Sequence, residues 1–74
     1  MDEGYILSNK YRKIIFDEFA SGEDNINRIA KKNHIINNVA KKILFDFIKC
    51  GIIEKKNNKF HLTKEGNRIA GNLK

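Results

Sequence analysis

The sequence predicts an α+β domain, mainly α-helical, on three observations: amphipathic stretches of helical period up to Lys49, a change to a period of two beyond Gly51, and a threonine-capped helix at the end. At 74 residues the chain has room for one domain, residues 1–74, with one modest core.

Ser8 stands where a helix cap is expected, and Tyr11, Ile14, Ile15 and Phe19 then fall on one face of a first helix from about Asn9 to Ala20. Ser21-Gly22 closes it. Asp24 or Asn25 opens a short second helix in which Ile26, Ile29 and Ala30 share a face, and Asn33-His34 makes the turn, because asparagine tolerates the left-handed backbone that ends helices. A third helix carries Ala40, Ile43, Leu44, Phe47 and Ile48 inward and ends at Gly51. Its other face holds Asn38, Lys41, Lys42, Phe45 and Lys49. Ile35 plugs the angle between the second and third helices, and two amphipathic helices joined by a tight plugged turn are the helix-turn-helix plan.

Beyond Gly51, Ile53, Lys55, Phe60 and Leu62 share the inner face of a hairpin whose loop is Asn57-Asn58, a pair suited to positive backbone angles. This register puts Glu54 opposite His61 and Lys56 opposite Lys59, so the hairpin tip is basic. Thr63 caps the final helix, whose Ile69, Ala70 and Leu73 return to the first. Met1 to Leu7 stays open between an edge strand, a docked arm and a flexible end.

Several function classes are not expected. There is no apolar run long enough for a membrane span, and Met1 to Lys10 lacks the basic and apolar regions of a secretion signal, which implies a cytoplasmic protein. Cys50 stands alone, and with only His34 and His61 beside it the spacing of a metal site is missing. Neither a nucleophile with its base and acid, nor a glycine-rich phosphate loop, nor a carboxylate pair among apolar residues is visible, so neither an enzyme nor a cofactor is expected.

Charge points to a polyanion. The net charge is +6 and the pI about 9.6. Six acids against three bases up to Asp24 give −3, whereas twelve bases against three acids from Asn25 onward give +9. The basic charge therefore belongs to the later elements.

The stretch Ile29 to Leu62 resembles the winged helix of archaeal DNA-binding proteins, especially the ten-kilodalton Sulfolobus chromatin-protein family. The matching residues are Ile29, Lys32, His34-Ile35, Ala40-Lys41-Lys42, Leu44, Phe47-Ile48, Gly51-Ile52-Ile53 and Leu62-Thr63-Lys64-Glu65-Gly66. The resemblance implies a winged helix-turn-helix of three helices, a β-hairpin wing and a C-terminal helix, with double-stranded DNA as the partner. It departs from that family in two places. The family's long final helix, which pairs subunits into a homodimer, corresponds here to about three turns ending at Lys74. Ile36 stands where a capping serine is usual, which moves the start of the third helix to Asn37.

On this reading Asn37 and Asn38 meet adenine edges and Lys41 and Lys42 reach guanine or phosphate; the plainer alternative is that Asn37 merely caps the helix and both lysines lie in water. Lys55, Lys56 and Lys59 lie along phosphate, Lys55 with its stem turned inward, and Arg28, Lys31 and Lys32 add contacts from the second helix. Phe16 and Phe45 fall outside the main apolar faces. They either reach the rim of the core or, with Tyr5, mark a dimer or partner surface. A protein-interaction module without nucleic acid is the alternative function, and RNA is not distinguished from DNA.

Overall fold

Side-chain caps and left-handed residues set most of the element boundaries. The computed structural model describes residues 3–73, with the order α1 (Glu3–Leu7), α2 (Lys10–Ala20), α3 (Ile26–Lys32), α4 (Asn37–Lys49), β1 (Ile53–Lys56), β2 (Lys59–Leu62) and α5 (Lys64–Asn72). It is an α+β arrangement, mainly helical, with an antiparallel hairpin. Asn9 caps α2 by accepting from the N–H groups of Tyr11 and Arg12, Asn25 caps α3 through Arg28 N–H, and Thr63 caps α5 through Gly66 N–H. Each side chain satisfies helix-start donors that have no intrahelical partner.

Three helices end alike. After α2, α3 and α4, the residue two beyond the helix donates its N–H to the carbonyl of the last-but-one helical residue (Gly22 to Phe19, His34 to Lys31, Gly51 to Ile48), and the residue three beyond donates to the one before that (Glu23 to Glu18, Ile35 to Ala30, Ile52 to Phe47). The left-handed position after α3 is His34, at φ 56°, and not Asn33 as the sequence suggested. Ile35, turned inward by that bend, is buried as the expected plug. Ile36 precedes α4 with no side-chain cap, so this helix does start at Asn37.

The amino-terminal segment is docked, as one of the three expectations had it, and is helical, which none of them had. It is a short helix, α1, whose Ile6 is fully buried and whose Tyr5 ring stands edge-on to Phe47 at 6.2 Å. Met1 and Asp2 lie outside the described residues. Ser8 does not cap α2: its hydroxyl donates to the Tyr5 carbonyl and accepts from Arg12, which also stacks over the Tyr5 ring at 4.2 Å.

That docking rotates the buried face of α2. Phe16, read as a misfit, is only 1% exposed and meets Phe47 edge-on at 6.3 Å, while Tyr11, expected inside, is 39% exposed. The reason is that α2 packs against α1, α4, the hairpin and α5 together, and the last of these covers the Phe16 side with Ala70 and Leu73. Phe47 of α4 is thus the centre of an aromatic trio.

The hairpin has the expected register, Ile53↔Leu62, Glu54↔His61, Lys55↔Phe60 and Lys56↔Lys59. Asn57 and Asn58 sit at φ 52° and 65°, the left-handed pair that a two-residue turn matched to strand twist requires. Its root is fastened twice. Thr63 donates its N–H to the Ile52 carbonyl and its hydroxyl to the Gly51 carbonyl, with the Ile52 oxygen further off at 3.2 Å, and Gly66 packs so closely beneath that a Cβ there would collide with the Ile52 oxygen. Phe60 N–H reaches the Asp24 carbonyl at 3.4 Å, tying β2 to the loop before α3.

Candidate nucleic-acid interface

The exposed side of α4 follows from its period. With Ala40, Ile43, Leu44 and Phe47 buried, Asn37, Asn38, Lys41, Lys42, Phe45 and Lys49 are left in solvent. Lys42 forms an intrahelical pair with Asp46 at 3.5 Å. Lys41 has no carboxylate within ion-pair distance among the described residues.

The hairpin comes to the same side. Ile26, Leu44, Phe45, Ile48 and Phe60 line a concavity of about 560 Å³ between the start of α3, α4 and the strands, with Lys41 and Lys55 completing its wall. Lys55 keeps its stem over the inner face, as expected, and its Nζ lies 5.8 Å from the centre of the Phe60 ring. Lys55, Lys56 and Lys31 have no carboxylate partner among the described residues, and Lys56 faces Lys59 across the hairpin tip.

Arg28, Lys32 and Lys59 are placed differently from the sequence picture. Arg28 pairs with Glu23 at 3.4 Å, Lys32 with Glu18 at 3.2 Å and Lys59 with Asp24 at 3.6 Å. The acidic first third of the chain is therefore not a separate surface: the end of α2 and the loop after it lie against α3 and the hairpin. Spacing along the chain carried no signal for this, because each pair depends on how the helices dock. The dimer or partner surface is corrected as well. Phe16 is in the core and Tyr5 is half-buried under Arg12 and against Phe47, so of that trio only Phe45, 65% exposed, is available.

No protein-family model matches this chain, and no curated protein or solved structure does either. Among the described residues no cluster of His, Cys, Asp and Glu has the makings of a metal site, and no helix is long and apolar enough to cross a membrane.

Glu18 ties the acidic and basic parts together. Its carboxylate accepts from Asn33 Nδ2 at 2.8 Å and from Lys32. The Asn33 hydrogen bond first, and then Lys32, hold its pKa below the ordinary value against the opposing effect of burial. A lowered folded-state pKa stabilises the fold above the unfolded-state pKa, and that contribution is lost as pH falls through the folded value. Glu18→Gln should accordingly be less stable than the parent at neutral pH, with the gap closing as acid protonates the parent's carboxyl. Urea melts across the acid range measure this, and a gap independent of pH would show that the charge of Glu18 contributes nothing.

Proposed function

We propose that the chain is a winged helix-turn-helix domain that binds double-stranded DNA, with α4 entering the major groove and the β1–β2 hairpin lying as the wing on the flanking backbone. The observation that carries this is that Lys41 of α4 and Lys55 of β1 wall one concavity, neither with a carboxylate partner among the described residues. The two basic elements thus present one surface.

Asn37 and Asn38, in the first exposed turn of α4, have the donor and acceptor pair that adenine matches, and Lys41 and Lys42 reach guanine or phosphate. Lys31, Lys55 and Lys56 neutralise phosphates directly. Arg28, Lys32 and Lys59 do so by exchanging their carboxylate partners for phosphate. In this reading the protein is a small cytoplasmic transcription regulator or chromatin protein and not an enzyme.

Duplex binding measured by anisotropy or gel shift tests the reading. Binding at about 50 mM salt should weaken steeply, with a log-log slope on the order of −5 if five to seven phosphates are neutralised at about −0.9 each. Absence of binding at that salt would remove the proposal.

A second reading is favoured by the exposure of two apolar side chains, Phe45 on α4 and Ile36 just before it, the latter 71% exposed. Such apolar side chains suit a protein-interaction module. A stoichiometric complex with a protein or with a second copy, formed without nucleic acid, would favour it.

A further inference from the structure

The exposed ring of Phe45 has no place in phosphate neutralisation, yet it stands on the basic, exposed side of α4, one turn after Lys41. Its neighbours are apolar: Leu44, Ile48 and Phe60 form the floor of the concavity, and Lys41 and Lys55 its charged edge. Phe45 makes no ring contact with another aromatic side chain among the described residues, so its face is unpartnered. A paired duplex offers phosphates to the two lysines but nothing to the ring, since its base faces are stacked on one another. An unpaired nucleotide offers both halves of the complement, a planar base for the apolar floor and a phosphate for the two ammonium groups.

We infer that this concavity binds an unpaired nucleotide of a DNA strand, its base stacked on Phe45 and its phosphate held by Lys41 and Lys55. The inference rests on the nucleic-acid reading above and adds a preference within it: duplex carrying a single-stranded extension or a displaced base binds more tightly than blunt duplex. Stacking of this kind is tolerant of base identity, because every base has a π-face. Asp24, the acid tied to the neighbouring strand, does not line the concavity, whose wall carries Lys41 and Lys55 and no carboxylate.

The test compares a blunt duplex with the same duplex carrying either a short thymidine extension or an abasic extension of equal phosphate number. The thymidine extension should tighten binding by at least about fivefold over the abasic one, the lower end of what stacking one base on an aromatic ring contributes. Phe45→Ala should erase that difference while blunt-duplex affinity and the melting profile stay near the parent's, and Phe45→Trp should restore it. Equal binding of the thymidine and abasic extensions, or a difference that survives Phe45→Ala, overturns the inference. Binding of the thymidine strand that depends on Phe45, with no binding of blunt duplex, would support it and remove the duplex reading. Failure of every oligonucleotide to bind overturns both.

Discussion

Phe47→Ala should destabilise the domain by about 3–5 kcal/mol, the range for emptying a buried aromatic site. The ring is fully buried and is met edge-on by both Tyr5 and Phe16, so its removal opens a cavity where α1, α2 and α4 converge. At roughly 0.05–0.15 kcal/mol per residue, a chain of this length has about 4–11 kcal/mol in total, and the variant would stand close to its unfolding threshold at ambient temperature. A urea titration followed by circular dichroism should show the midpoint falling without a change in slope. Phe45→Ala, two positions along the same helix, should stay within about 0.5 kcal/mol because that ring lies in solvent. Equal losses for the two would contradict the packing described.

Reversing charge at Lys41 and Lys42 together, as Lys41→Glu with Lys42→Glu, should cost duplex affinity on the order of a hundredfold. Two attractions become two repulsions, each worth about 1 kcal/mol for unit charges some 4 Å apart in water before salt screens them. The salt slope should shrink by about 1.8, because two phosphate contacts disappear at about 0.9 each. Folding should be little affected, since both side chains are exposed. The Lys42–Asp46 pair becomes a like-charge i, i+4 contact, and losing the attraction and gaining the repulsion together cost only about 0.4–1 kcal/mol. Unchanged affinity in the doubly reversed variant would sink the assignment of α4 as the helix that meets DNA.

What was readable in the chain was what neighbouring residues decide among themselves. The hairpin register followed from alternation around Asn57-Asn58, the end of α4 from Gly51, and the buried plug from Ile35, each a local pattern with one packing solution. Ser8 misled because a hydroxyl can start one helix or finish another, and the carbonyl it bonds, that of Tyr5, is in position only because residues 3–7 are already helical. Phe16 fell outside the one apolar face read for α2, and it is the docking of α1 and α5, invisible in that helix's own period, that buries it. The basic surface was half legible. Lys41, Lys42 and the hairpin lysines could be placed from periodicity, whereas the pairing of Arg28, Lys32 and Lys59 with Glu23, Glu18 and Asp24 is long-range and leaves no trace in spacing.

The double fastening of the hairpin has a mechanical consequence. With Thr63 and Gly66 clamped onto the Ile52 carbonyl and β2 moored to Asp24, the strand pair cannot swing without dragging the last helix and the loop ahead of α3 along with it. Only the tip, Lys56 to Lys59, can bend on its own. The backbones that carry Lys41 and Lys55 are thereby held at one spacing, and in the proposed complex the adjustment to a bound strand falls to the two lysine stems and to the strand itself.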